Sequence, residues 1–404
     1  MKVLIDGQTL LTPEITRGIG TYFKNIVEHL LASDFTNEFY ITVTSETDLE
    51  NLSPWARAKL NALTDHAYQP DANNVSSIDV SSKRYSDKLN DDLLKHGIDI
   101  YFSPNGLMNN VFLPTKETHC RFALFVHDLI AIVMSDEYIN RWPRALAQWY
   151  RAKLEILETS YDLYLYNSQH TASDFQEALD VRRKKHAVTW LGVSDFFHPS
   201  PFPHAYSEAR YVLYIGGFDP RKNMHKAVQA FSRLQESYGN ETQIQNTQLW
   251  IVCHFDDYAK ATLMERAAEL GIAGKLKLTG FIEPHELRSY YQKAQCLFFP
   301  SLYEGFGLPV LEALACGLPV ASSNTSSLPE VGGEFATYFD PCDIDEMAKS
   351  LYKALREPMD YAARMSRYEY SRKFSWQKAA EITLNALTDC VNDAQRTQAA
   401  TSEP

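Results

Sequence analysis

Two glutamates, Glu304 and Glu312, are separated by seven residues in "EGFGLPVLE", and everything between them is glycine, proline or apolar. Carboxylates are seldom placed in surroundings that otherwise read as buried core. An ionised carboxylate accepts hydrogen bonds and donates none. Two set side by side match the paired hydroxyls of a sugar ring, each such bond contributing roughly 1.5–3 kcal/mol. Pro309 suits the first turn of a helix, which puts Glu304 in the loop before that helix and Glu312 one turn inside it. Both then lie near the positive end of the helix dipole. Capping alone would also explain Glu312, whereas Glu304 has no such simple structural reason.

Three other groups have chemical potential. In "GGFDPRKN" two glycines, a strand end, Arg221 and Lys222 converge ahead of a helix beginning near Asn223. Two cations beside helix N–H groups suit a diphosphate; a solvated pair on a turn is the alternative. In "RGIG", Gly18 and Gly20 open a helix where missing side chains would admit an anion to the backbone, or where glycine is simply a cap. His127 ends the apolar run "FALFV", and Asp128 beside it either fixes the ring's tautomer or caps the next turn. No serine or cysteine sits in a nucleophile-elbow pattern, so a hydrolase triad has no support. The aspartates of "DID", Asp343 and Asp345, open a helix and read as caps rather than metal ligands. No metal and no separate cofactor is expected.

These groups need a scaffold. Runs rich in Val, Ile, Leu, Phe and Tyr recur: "KVLID", "FYITVTS", "DIYFSP", "FALFVHD", "LYLYNS" and "VTWLGV", then "YVLYIGG", "LWIVC", "LKLTG", "CLFFPS" and "PVASS". Their hydrophobicity is near-continuous, which favours strands covered on both faces, as in parallel sheets. Helical spacing fills the gaps, so the fold class is α/β, doubly wound. Ser194 to Arg210, with three prolines, is the best break. It separates a first domain, 1–195, from a second, 196–375. A helix at 376–391 follows, and the polar residues 392–404 are expected to fray. Residues 48–91 carry no clear pattern. Ligands of open parallel sheets bind beyond the carboxyl ends of the strands, and the polar residues above cluster there, outlining one cleft between the domains.

Composition excludes some classes. Of 404 residues, 45% are hydrophobic and 22% charged, an ordinary globular balance. A net charge of −12 argues against nucleic-acid binding, which needs a basic face. The six cysteines form no C-x-x-C pair and fit a reducing compartment. The N-terminal apolar run is too short for a signal peptide, and no stretch is apolar enough to span a membrane. A soluble, cytoplasmic protein is expected. The helix bearing Arg141, Arg144, Arg151 and Lys153 beside Trp142, Trp149 and Tyr150 raises the alternative of peripheral contact with anionic lipid at the inner membrane face.

"EGFGLPVLEALACGLPV" resembles the Glu–seven residues–Glu signature of retaining, GT-B fold glycosyltransferases of family 4. The likeness extends in order through "RGIGTY", "FALFVHDL", "YNSQHTASDF", "YIGGFDPRKN", "LTGFIEPHEL", "SSLPEVGG" and "FSWQKAA". It implies two Rossmann-like domains facing each other across a cleft, the first binding the acceptor and the second a nucleotide-sugar. It implies Glu312 on the ribose hydroxyls and Glu304 on those of the transferred sugar. Gly305, Phe306, Gly307 and Leu308 would line the donor between them, with Gly280 and Phe281 beside the base. Arg221 and Lys222 would grip the diphosphate with help from the Gly18–Gly20 turn, and His127 would approach the transferred sugar. The last helix would cross back to the first domain. Two departures stand out: Gly217 occupies a place where the family often has arginine, and Cys253 and His254 replace a common glycine pair. The implied reaction is transfer of a hexose, with GDP-mannose favoured as donor and a UDP-sugar as the alternative, to a glycan or lipid-linked glycan. A nucleotide-sugar epimerase or a non-catalytic sensor remains open.

Overall fold

The structure is a computed structural model that describes residues 1–33, 36–69, 78–108, 111–201, 209–280 and 282–401. The chain divides into two compact units, Met1–Gly192 with Trp376–Pro404, and Val193–Ser375.

Among the described residues the first unit holds seven strands: β1 (Lys2–Ile5), β2 (Glu38–Val43), β3 (Leu60–Thr64), β4 (Ile100–Ser103), β5 (Arg121–Val126), β6 (Leu163–Tyr166) and β7 (Lys185–Val188). The described residues of the second hold six: β8 (Arg210–Ile215), β9 (Thr247–Val252), β10 (Leu276–Gly280), β11 (Cys296–Phe299), β12 (Val320–Ser323) and β13 (Ala336–Phe339). Every neighbouring pair runs parallel, in the orders β3-β2-β1-β4-β5-β6-β7 and β10-β9-β8-β11-β12-β13. Central strands β4, β6, β11 and β12 are buried along their whole length, as expected of strands with helices on both faces. Each sheet reverses its winding once, between β1 and β4 in the first and between β8 and β11 in the second. Such switch points open a crevice at the carboxyl ends of the strands.

Some elements lie where no pattern was legible. Strand β3 and the helix Ile78–His96 fall partly or wholly inside the featureless stretch. β3 is an edge strand with only Leu63 buried. The helix buries Ser86, Asn90 and Asp92 alongside Tyr85, Leu89 and Leu93, so polar residues interrupt its apolar stripe. The last strand of the first sheet is "KHAV" rather than "VTWLGV". Trp190, within the latter, takes φ of 23°, outside the extended backbone a strand requires.

The final helix runs Trp376–Thr401, ten residues beyond the expected 391, because "AQRTQAA" is rich in strong helix formers. It packs on the helix Gly18–Ser33, and the Trp376 ring lies 6.3 Å from that of Tyr22.

The helix Arg144–Ser160 carries the basic and aromatic residues considered for a lipid surface. Trp149, Tyr150 and Lys153 are buried in the first unit's interior, and only its charged face, with Arg144 and Arg151, is exposed. The aromatic side chains that a lipid-facing helix would present are core. Among the described residues no helix is long and apolar enough to cross a membrane.

Candidate active site

Arg221, Lys222 and Glu304 meet at the switch point of the second sheet. β8 leads through Gly216 and Gly217 to a short turn, Pro220–Lys222, held by the Asp219 carboxylate accepting from the Arg221 N–H. Asn223 follows in the left-handed region, φ 59°, and starts the helix Met224–Tyr238. Its buried amide donates to the carbonyls of Pro300 and Pro341, tying the turn to the end of β11. The Leu302 N–H donates to the Arg221 carbonyl at 2.7 Å, joining the two loops by their main chains.

The Glu304 carboxylate sits between both cations, 2.6 Å from Lys222 Nζ and 2.8 Å from Arg221 Nη1, and the residue is 8% exposed. Burial alone would raise its pKa, but Lys222 and Arg221 outweigh that and hold it below the ordinary value. Burial draws the Lys222 ammonium down, against the pull of Glu304. Asp219, the more exposed partner, lies 3.6 Å from Arg221 Nε. Two carboxylates thus balance two cations, with Arg221, Lys222 and Glu304 held largely out of water and Asp219 at the more exposed edge.

Gly307 caps the helix Leu308–Ala315 at φ 107°, and an added Cβ would come within 2.7 Å of Leu328. Only glycine adopts that backbone without strain. Glu312, in the middle of that helix, accepts from the Tyr291 hydroxyl at 2.8 Å. Burial raises its carboxyl to about 7, with the Tyr291 hydrogen bond opposing. The two glutamates are therefore unlike at neutral pH: Glu304 is ionised, and Glu312 is near half-titration.

Other expected positions divide. Gly305 and Leu308 belong to the same loop and helix start, whereas Phe306 is 3% exposed with its ring packed on Phe374. Its side chain is core, so only its main chain is left for a ligand. Gly280 ends β10 at φ 77° with open space around it; Phe281 lies outside the described residues. Cys253 is buried and His254 exposed. At Gly217 nothing lies within 4 Å of where a Cβ would stand, so the crevice is open where the family often carries arginine. Asp343 accepts from the N–H groups of Asp345 and Glu346, a helix cap.

In the first unit, Gly18 begins its helix as expected. The space at Gly20 is filled by the chain itself: a Cβ there would lie 2.1 Å from the Ile15 carbonyl oxygen. Its missing side chain therefore admits the preceding turn, and the anion-binding reading loses its steric argument. His127 packs edge-on against Tyr22 and Phe125 at 4.9 and 4.8 Å. Its Nε2 is 2.9 Å from the Pro104 carbonyl. A carbonyl only accepts, so Nε2 carries the proton. Burial lowers the ring's pKa to about 4, making it neutral with Nδ1 as an acceptor. Asp128 accepts from the Ile130 N–H, so it caps the next turn.

Sequence reasoning assigned no role to Ser326, Ser327 or Tyr291. Ser326, at φ 54°, accepts from the Glu304 N–H at 3.0 Å. The Ser327 hydroxyl lies 2.9 Å from the Glu304 carbonyl and 2.8 Å from that of Phe306. The available signal was the serine pair of "SSLPEVGG", which carries likeness to the family but no local pattern that says what its hydroxyls hold.

Residues 200–372 match the family Glycosyl transferases group 1. The chain carries a glycosyl transferases group 1 domain. Arg221, Lys222, Glu304 and Glu312 all lie within the matched residues. The O-antigen chain mannosyltransferase B of Escherichia coli is 33% identical over 178 residues, 44% of this chain and 45% of that protein. The serotype-specific mannosyltransferase WbdA of Escherichia coli is 24% identical over 426 residues, 100% of this chain and 50% of that protein. This chain therefore spans about half the length of these curated relatives. Among solved structures, HepE of Anabaena in complex with UDP superposes with a TM-score of 0.68 at 16% identity, covering 96% of this chain and 100% of that one. The glycosyl transferases group 1 domain and its partner unit together have the GT-B fold.

Proposed function

We propose that the chain is a retaining glycosyltransferase that moves mannose from GDP-mannose to a glycan or lipid-linked glycan acceptor in polysaccharide synthesis. The observation that carries this reading is the cluster of Arg221, Lys222 and Glu304 at the switch point. Two cations held converging there suit a diphosphate, and a carboxylate kept ionised beside them suits sugar hydroxyls. The mannosyltransferase names of the relatives favour mannose. The UDP in HepE keeps a UDP-sugar as the second reading.

In the proposed reaction the sugar's anomeric carbon–oxygen bond to the diphosphate breaks as a bond to the acceptor oxygen forms on the same face. The acceptor hydroxyl's proton passes to the departing phosphate oxygen. Arg221 and Lys222 stabilise the charge developing on the diphosphate, and Glu304 holds the sugar. Incubation with a panel of nucleotide-sugars, following release of nucleoside diphosphate with and without glycan, tests this directly. GDP-mannose consumption stimulated by a mannan-type acceptor is the expected result; conversion of donor without any acceptor would indicate an epimerase, and consumption of no donor would refute the reading. A larger thermal shift with GDP than with UDP is expected.

A further inference from the structure

A lysine deep in the first unit is unexpected there, because an ammonium is costly to bury without compensation. Lys153 is 1% exposed, and burial pulls it well below the usual lysine range. Its Nζ donates to two main-chain carbonyls, Met108 at 2.5 Å and Val111 at 2.7 Å, and lies 4.4 Å from the Trp149 ring. Both carbonyls belong to the connection between β4 and β5, which leaves the sheet at its switch point. The same connection is also held by Gln8. The Gln8 amide donates to the Phe112 carbonyl at 2.9 Å and accepts the Phe112 N–H at 2.7 Å. Gln8 is itself oriented by Asp6, which takes its Nε2–H at 3.0 Å. At its start, this connection presents the Pro104 carbonyl that holds His127 Nε2.

We propose that Lys153 and Gln8 are positioning residues for His127, acting through the described parts of this connection, residues 104–108 and 111–113. The two tethers fix the Pro104 carbonyl, and that carbonyl fixes the orientation of the imidazole so that Nδ1 faces outward as an acceptor for a hydroxyl. Apolar packing alone would not do this, since a connection with several inward carbonyls needs buried donors to have a single conformation. The proposal rests on the reading of His127 as a residue beside the transferred sugar.

The test is imidazole NMR on the full-length chain with labelled histidine, for wild type, Lys153→Met and Gln8→Leu. In wild type the His127 Nε2–H should be protected from solvent exchange. In either variant that protection should fall by about 100-fold or more, with kcat lowered about 10-fold and the donor KM changed less than about 2-fold. Undiminished protection in a folded variant would overturn the proposal. So would a wild-type His127 whose proton sits on Nδ1, even if neither variant folds. A wild-type chain that shows the protected proton but transfers no sugar would sink the proposed function while leaving the tether intact.

Discussion

At Glu304 one carboxylate holds two cations, and its removal would leave them facing each other with little solvent. Glu304→Gln should therefore destabilise the second unit by roughly 3 kcal/mol, read as a shift in its urea midpoint, and should lower transfer at least ~100-fold. Lys222→Met, which leaves Glu304 paired with Arg221, should cost less stability but a similar loss of turnover; turnover within a few-fold of wild type would refute the electrostatic account. The two glutamates also pull the pH profile in opposite directions. The pKa of Glu304 is held down in the folded chain, so its contribution is present above the ordinary carboxylate pKa and is lost as the solution turns acid. Glu312 is raised from 4.5 to about 7, so the unfolded chain gives up that proton first and stability falls as pH rises through that window. The full effect is roughly 3 kcal/mol at most. Glu312→Gln should flatten the curve between those pH values in urea titrations; an unchanged slope would mean that the carboxyl titrates normally.

Backbone geometry sets the predictions for single elements. Gly307→Ala places a side chain at φ 107° against Leu328 and should cost roughly 1–3 kcal/mol, with loss of donor binding because Glu304 and Glu312 flank it. Asp343→Ala removes a cap and should cost about 1 kcal/mol; EDTA should not change the melting temperature of either form, and a drop on chelation would reveal a bound metal. At this scale legibility followed burial. Strands β4, β6 and β11, covered on both faces, announced themselves as nearly continuous apolar runs. Edge strands β3, β7 and β13 are mostly half-exposed and carry mixed residues, which alternate too weakly to be read. The Arg144–Ser160 helix was legible as a helix, but not the way it faced: basic and aromatic residues at the same spacing fit a lipid surface or a core equally well until Lys153 is seen inside.

At the scale of the whole molecule, the last helix belongs with the first unit although it follows the second in sequence. A chain ending at Ser375 should therefore lose the cooperative unfolding of the first unit, whose Tyr22 would be uncovered, while the second unit's transition stays near its wild-type midpoint. Calorimetry separates the two; retention of both transitions would show that the helix is dispensable for the first unit's stability. The doubling of the architecture was readable, since two series of buried strands separated by helical spacing admit few arrangements. The strand order was not, because parallel pairing is set by crossovers between distant segments and leaves no local mark.

The residues themselves determined which groups could handle a glycosyl nucleotide: paired carboxylates around an apolar loop, adjacent cations on a glycine-bearing turn, and a histidine closing a strand are chemical facts independent of folding. Only tertiary structure decided their states. Glu304 is ionised because two cations from a turn distant in sequence reach it, while Glu312 is near half-titration because its surroundings supply burial and one hydroxyl. Gly20 serves the packing of its own chain, and His127 is neutral because it is buried, with its tautomer set by the Pro104 carbonyl of a distant connection. Residue type is local, whereas charge state, tautomer and exposure depend on what the fold brings within a few ångströms.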